Sequence, residues 1–469
     1  MDPLDSLVPR LPPDRVSRDP AQLAPKARDM SALALLAGVR GDQPVLPAAA
    51  VLPRSTEEMA TVLAWAQETG TPIVPRGGGS GVSGGGFTSA DSVVVDLSRM
   101  DRVLGIDTVS RTVEVEAGIG GTVLEAALEA KGLTTGHYPQ SIELSTVGGW
   151  IAASSAGQAS SGYGAIEDLV LGMTVVLAGG AVVRLKPVPR SAAGPDLRRL
   201  FIGSEGTLGV VTGAVLACRP RPLGYAWAGF GFDSFEACIE AMRAIEAAGV
   251  GSVVVRGYDE ADATLAFGRL GHAGGSAAIV GFAADAAGLA ERMAEATTRA
   301  NAAGGRELGP AYGEHWWVHR NDAVGLYRRI MGPDRAFGPG TVVDTMEVAA
   351  VWSRIPALYG RVREALLAGA EIVGCHLSHV YPAGSSLYFT FLVRGSDDRD
   401  VEGRYLATWE GAVQACLMVG GTITHHHGVG RLKARFMAAE LGEEGLAVLR
   451  AVKRVLDPSG ILNPGVLLP

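Results

Sequence analysis

Two stretches of this chain carry residue types whose spacing could do chemistry: residues 75–86, reading PRGGGSGVSGGG, and residues 425–430, reading HHHGVG. In the first, Gly79, Gly81 and Gly84 stand at the G-x-G-x-x-G spacing of a dinucleotide-binding turn. Such a turn needs a strand entering and a helix leaving, so that the helix N-terminus faces the pyrophosphate. A strand-like run, TPIVP at 71–75, does enter, but Gly84 is followed by more glycine and small polar residues and then by a second strand-like run at 93–97. The missing helix excludes the dinucleotide turn. What remains is backbone without Cβ atoms, able to take positive φ and to bring several N–H groups to a phosphate. The competing use is a surface linker, which rarely starts directly from a buried-looking strand ending in Pro75 and Arg76.

In the second stretch, an extended His425-His426-His427 segment turns alternate side chains to opposite sides, so at most two imidazoles share a side. That is too few for a metal site, and no H-E-x-x-H helper is present, so no metal is expected. Charge that changes near physiological pH is the better use. Further small-residue turns follow strand or precede helix patterns: GHYPQS at 136–141 with STVGGW at 145–150, YGAIEDLV at 163–170 and GSEGTLGVVT at 203–212. Together with the first loop they suggest a large, flat, anionic ligand gripped mainly by backbone.

The elements that must position these loops are legible in outline. Residues 55–70 and 121–131 have helical spacing, and 93–97, 112–117 and 173–178 read as strands, giving an α+β region. Beyond residue 224 the units lengthen, with helices expected at 235–248, 286–302 and 353–368 and β runs at 252–256 and 387–393, as in a second sheet domain. The organisation expected is an arm (1–45), a first domain (46–223), a second domain (224–424) and a returning C-terminal segment (425–469). With 469 residues, 64 of them glycine, 47% hydrophobic and 19% charged, the chain suits a compact protein of two or three domains. A net charge of −8 without a basic tract argues against a nucleic-acid partner. The separated Cys218, Cys238, Cys375 and Cys416 read as core residues in a reducing compartment. Without a signal-like N-terminus or an apolar run of membrane length, a cytoplasmic location is expected. Peripheral membrane contact and homodimerisation are left open.

The order PRGGGSGVSGG, STVGGW, YGAIEDLV, GSEGTLGVVT resembles the FAD-binding domain of the vanillyl-alcohol oxidase and FAD-linked oxidase superfamily. GHYPQS, YPAGSSLYF at 381–389 and HHHGVG resemble its alkylglycerone-phosphate synthase branch. The resemblance implies an α+β fold: a two-subdomain FAD-binding domain of the PCMH type, and an α/β cap built on an antiparallel sheet. It implies non-covalent FAD held by Pro75, Arg76, Gly77, Gly78, Gly79, Ser80, Gly81, Pro139, Ser141, Ser145, Thr146, Gly148, Gly149, Trp150, Glu205, Gly206, Gly209, Val210 and Val211.

In that branch Tyr388 would take a proton from the substrate carbon beside the ketone, with His425, His426 and His427 tuning charge. Read without the resemblance, Tyr388 fills a strand position between Leu387 and Phe389. Arg256, in VVVRGYD, would anchor a substrate phosphate, and of Arg328, Arg329 and Arg335 the last is assigned as the second arginine. The implied reaction exchanges the acyl group of acyl-dihydroxyacetone phosphate for a fatty alcohol, a redox-neutral step of ether-lipid synthesis. The alternative is an FAD-dependent oxidase or dehydrogenase of an alcohol or 2-hydroxy acid. The sister 2-hydroxyacid dehydrogenases carry two metal-binding histidines seven residues apart where this chain has Tyr381 and Tyr388. The pair Trp316-Trp317, in HWWVHR, has no counterpart in the resemblance and reads equally as pocket lining or packed core.

Overall fold

A computed structural model describes residues 3–468, in two compact units. The first takes the chain up to residue 156, residues 165–221 and the chain from His426 onward; the second takes residues 157–164 and 222–425. The arm and the chain from His426 onward fall within the first unit. Their apolar residues explain it: Leu4, Leu7, Leu11, Ile461 and Leu462 are buried in that unit's core, and Leu462 bridges in parallel to Ile73.

In the first unit, one sheet has the order Val16–Ser17, Ala49–Val51, Val93–Asp96, Ile73–Arg76, its last three strands parallel. Helix Thr56–Thr69 starts where Ser55 accepts from the backbone N–H of Glu58 and stops at left-handed Gly70 (φ 69°). It buries Met59, Val62, Leu63, Trp65 and Ala66, the larger of them contributing about 1.5–3 kcal/mol each. Ile73–Arg76 and Val93–Asp96 are joined by the glycine loop alone, with no helix between them. A second, five-stranded antiparallel sheet runs Val103–Asp107, Thr112–Glu116, Val210–Ala217, Val170–Val176, Val182–Leu185.

The second unit is built on a seven-stranded antiparallel sheet ordered Arg306–Glu307, Tyr225–Phe232, Ser276–Ala283, Val254–Tyr258, Ile372–Tyr381, Gly384–Arg394, Thr341–Val351. One face is apolar and packs on helices Phe235–Ala247, Ile355–Leu367 and Asp398–Met418. There Phe389 stacks on Tyr359 and Phe391 on Tyr405. The buried Asp344 is satisfied by the Tyr405 hydroxyl (2.6 Å) and Trp409 Nε1 (3.2 Å). Thr341–Val351 is absent from the sequence reading because a strand covered on both faces does not alternate cleanly between apolar and polar.

Candidate active site and cofactor cradle

In the first unit three loops meet around Pro75 and the glycines after it. Gly77 lies so close to Thr146 that a Cβ would stand 2.3 Å from its Oγ1, and a Cβ on Gly78 would stand 1.7 Å from the carbonyl oxygen of Leu144. Gly79 is left-handed (φ 68°), and Gly206, also left-handed, would press a Cβ to 2.8 Å from Pro75 Cγ. Gly78 requires glycine because its backbone lies against the backbone of Leu144, while Gly77 and Gly206 lie against the side chains of Thr146 and Pro75 and the left-handed backbone at Gly79 and Gly206 also favours glycine.

Thr146 caps helix Val147–Ala153 by accepting from Gly149 N, Ser145 accepts from Trp150 Nε1 at 2.7 Å, and Gly148 abuts the Ala117 carbonyl. Residues 139–145 form the preceding turn, in which Leu144 N and Ser145 N donate to the Ser141 carbonyl. Ser80 and Gly81 continue the first loop, and the Gly81 carbonyl accepts from Met30 N. Gly209 packs on Val175, and Val210 and Val211 open strand Val210–Ala217, buried in the sheet. The Arg76 guanidinium lies against Gly79 of the loop and donates to the carbonyls of Arg28 and Pro25, fastening the arm.

Glu205, itself left-handed (φ 50°), accepts from Val429 N at 2.7 Å and Gly430 N at 2.9 Å, so one carboxylate clamps the turn after the histidines. Burial pushes its carboxyl up to about 7, with Asp29 adding to the rise and the two N–H donors and Lys433 opposing it. Ser83 completes the clamp by donating to the carbonyls of His427 and Gly428. The rings of His426 and His427 meet edge to face at 4.5 Å. His137 is wholly buried, bonded through Nε2 to Ser155 Oγ (3.0 Å) and set 4.9 Å from the Trp150 ring; burial drives its pKa down to about 3.

In the second unit the other face of the sheet carries a polar patch, with helices Glu260–Phe267 and Ala311–His319 beside it. Register puts Tyr388 across from both His376 and Glu347, Ser386 across from His379, and Tyr258 across from His376. A bulge between Leu377 and His379 carries His379 and Tyr381 onto this same face. The Tyr381 hydroxyl lies 2.9 Å from His425 Nε2. His425 stacks on His379 at 5.1 Å, and the His379 ring is fixed by the Gly157 carbonyl at Nε2 and Ser378 Oγ at Nδ1. Buried Glu347 accepts from Thr424 Oγ1 at 2.5 Å and from His425 N at 3.3 Å.

Arg256, 8% exposed, lies on this face with its guanidinium 4.8 Å from the Trp316 ring centroid. Trp316 and Trp317 form an aromatic cluster with Trp227 and Tyr225. Burial pushes the Tyr388 hydroxyl above the usual phenol range; Glu347 and Asp344 add to the rise, Thr345 and Arg256 oppose it. Arg335, assigned from sequence as the second substrate arginine, pairs with Asp398 at the start of helix Asp398–Met418 (Nη1 to Oδ2, 2.6 Å). The bulge hides the Tyr381–His425 pairing from the sequence.

A family profile described as FAD binding domain matches residues 47–186, and one described as FAD linked oxidases, C-terminal domain, matches residues 224–467. The chain belongs to the FAD-linked oxidase family. It is 32% identical over 461 residues to an alkyldihydroxyacetonephosphate synthase of Trypanosoma brucei brucei, covering 90% of this chain and 73% of that protein. It is equally 32% identical over 446 residues to an uncharacterised FAD-linked oxidoreductase of Escherichia coli O157:H7, covering 90% of this chain and 89% of that one. A solved alkyldihydroxyacetonephosphate synthase shares the fold, with a TM-score of 0.80 at 24% identity over 98% of this chain and 84% of the other.

This family member is therefore a flavoenzyme that binds FAD. The close-set glycine cradle fits that group, since Gly77, Gly78 and Gly206 leave no room for a side chain and present backbone alone. The fold expected from sequence, a PCMH-type FAD-binding domain with a cap on an antiparallel sheet, is the fold observed. No helix among the described residues is long and apolar enough to cross a membrane.

Proposed function

We propose that this flavoenzyme is a redox-neutral alkyl transferase of the alkylglycerone-phosphate synthase type. It exchanges the acyl group of acyl-dihydroxyacetone phosphate for a fatty alcohol and releases the fatty acid. The observation that carries this reading is the Tyr381–His425 pair on the same polar face as Arg256 and Tyr388. A phenol alone is a poor base with a pKa near ~10, but a phenol hydrogen-bonded to an imidazole can pass its proton on.

Bound FAD would supply an electron-accepting ring. The chain's residues supply the rest. Arg256 binds the substrate phosphate through its planar donors. Tyr381 and His425 receive the proton from the carbon next to the ketone, and Tyr388 lines the same face. The C–O bond to the carboxylate breaks with its electron pair on the carboxylate, the alcohol oxygen forms the new ether bond at the same carbon, that carbon regains its proton from the Tyr381–His425 pair, and the alcohol proton leaves with the fatty acid, so no external acceptor is consumed.

Incubation of the FAD-loaded protein with palmitoyl-dihydroxyacetone phosphate and labelled hexadecanol tests the reading. Label in an alkali-stable ether product, with one palmitate released per ether, supports it. Absence of ether product, together with flavin bleaching by a 2-hydroxy acid and peroxide release in air, would replace it with an oxidase.

A further inference from the structure

The guanidinium of Arg256 is held from two sides. Trp316 lies against it, and Nη1 donates to Nε2 of His376 at 3.2 Å. The proton of the His376 ring then sits on Nδ1, which donates to Oδ2 of Asp262 at 2.7 Å. On the same ring Tyr388 stacks, with centroids 4.9 Å apart and planes 23° from parallel. Asp262 is buried at the third position of helix Glu260–Phe267, the helix that begins directly after the Arg256 strand. One imidazole therefore touches the arginine, the tyrosine and the carboxylate.

The direction of the hydrogen bonds decides what this contact can do. An arginine has only donors, so His376 can hold it only through an unprotonated nitrogen. If the proton moved to Nε2, N–H would oppose N–H and the guanidinium would be pushed off its place. Asp262 prevents this by demanding the proton at Nδ1. Arginine carries large rotamer freedom, and a site that fixes it before the ligand arrives loses less on binding.

We propose that His376, held in one tautomer by Asp262, is a positioning residue that fixes Arg256 for an anionic group of the substrate and sets the plane against which Tyr388 rests. The proposal rests on the reading of Arg256 as the anion-binding arginine of the alkyl transferase, and its test separates the two.

The test uses FAD-loaded protein and two variants that each keep half of the histidine. In His376→Gln the amide oxygen reaches the Nε2 place and can accept from Arg256. In His376→Asn the amide can meet Asp262 but stops short of the arginine. Titration with dihydroxyacetone phosphate is expected to show affinity weakened by about tenfold in His376→Asn and by no more than about threefold in His376→Gln. Thermal midpoints should fall by similar amounts in both. Equal weakening in the two variants, or none in either, overturns the proposal and leaves a structural pair.

A second measurement needs no ligand. Nitrogen-15 spectra of histidine and arginine side chains should show His376 protonated at Nδ1 alone. The Arg256 Nε signal should stay sharp in wild type and His376→Gln and broaden in His376→Asn. An Arg256 signal indifferent to both variants, or a His376 proton on Nε2, overturns the positioning role. Wild-type protein that shows these signatures yet binds no dihydroxyacetone phosphate would remove the functional reading and leave the positioning of Arg256 standing for another anion.

Discussion

The Tyr381 hydroxyl stands 2.9 Å from Nε2 of His425, whereas Tyr388, seven residues on, stacks against His376. The two tyrosines thus occupy one sheet face with different partners, and their removal should have different consequences. Tyr381→Phe deletes the hydroxyl that meets the imidazole and is expected to lower kcat by about 10²–10³ with little change in KM, as for loss of an acid–base group. Tyr388→Phe keeps the stacked ring and is expected to cost less than tenfold if Tyr381 moves the proton. Steady-state kinetics of both variants decide it; a larger loss for Tyr388→Phe would return the base to Tyr388.

Arg256→Lys keeps the charge but loses the planar fork, the contact with Trp316 and the bond to His376. The expected outcome is a KM for acyl-dihydroxyacetone phosphate raised by about tenfold to a hundredfold, with a smaller change in kcat. An unchanged KM would remove Arg256 from the substrate site.

Gly78→Ala would bring a Cβ within 1.7 Å of the Leu144 carbonyl, a backbone contact that no side chain can relieve. The variant should emerge largely without FAD and lose about 2–4 kcal/mol of stability. Gly105→Ala, with no atom within 4 Å of the added Cβ and no left-handed backbone, is the matched control and should retain its flavin. Absorbance ratios of the two purified proteins read the result directly.

Glu205 and His137 should pull the pH dependence of stability in opposite directions. The Glu205 carboxyl is raised from 4.5 to about 7 in the folded chain, so its stabilising contribution is complete below about pH 4.5 and is lost as pH rises to about 7. The loss amounts to about 3 kcal/mol. His137 is lowered from 6.5 to about 3, so its contribution is complete above about pH 6.5 and is lost as pH falls, by about 2 kcal/mol on reaching about pH 5. Between those limits the two slopes oppose each other. Glu205→Gln should therefore make the protein more acid-sensitive, and His137→Gln less so, in urea unfolding at a series of pH values. Parallel pH curves for wild type and both variants would contradict the shifts.

How much of this was legible in the sequence depended on whether a residue's role is local. Gly77, Gly78 and Gly206 announce themselves because close neighbours leave no room for a Cβ, and the missing helix after Gly84 already excluded the dinucleotide turn. Ser55 and Gly70 mark their helix to the residue. Asp262, His376 and Tyr381 gave no such signal, since what each meets depends on strand register, and the bulge after Leu377 resets which side chains share a face. The partner of Arg335 was hidden for a related reason: the sequence shows an arginine near the expected place but not the Asp398 that pairs with it. Glu205 was singled out by the resemblance as an FAD residue, but its bonds to the backbone of Val429 and Gly430 carry no local sequence signal.

The central claim is that the chemistry is redox-neutral, and anaerobic mixing of the FAD-loaded enzyme with palmitoyl-dihydroxyacetone phosphate tests it most directly. The account expects palmitate release while the flavin, after any transient change, returns to its oxidised spectrum once hexadecanol is added, with no electron acceptor supplied. A flavin that stays reduced until oxygen is admitted, with an oxidised product in solution, would contradict it.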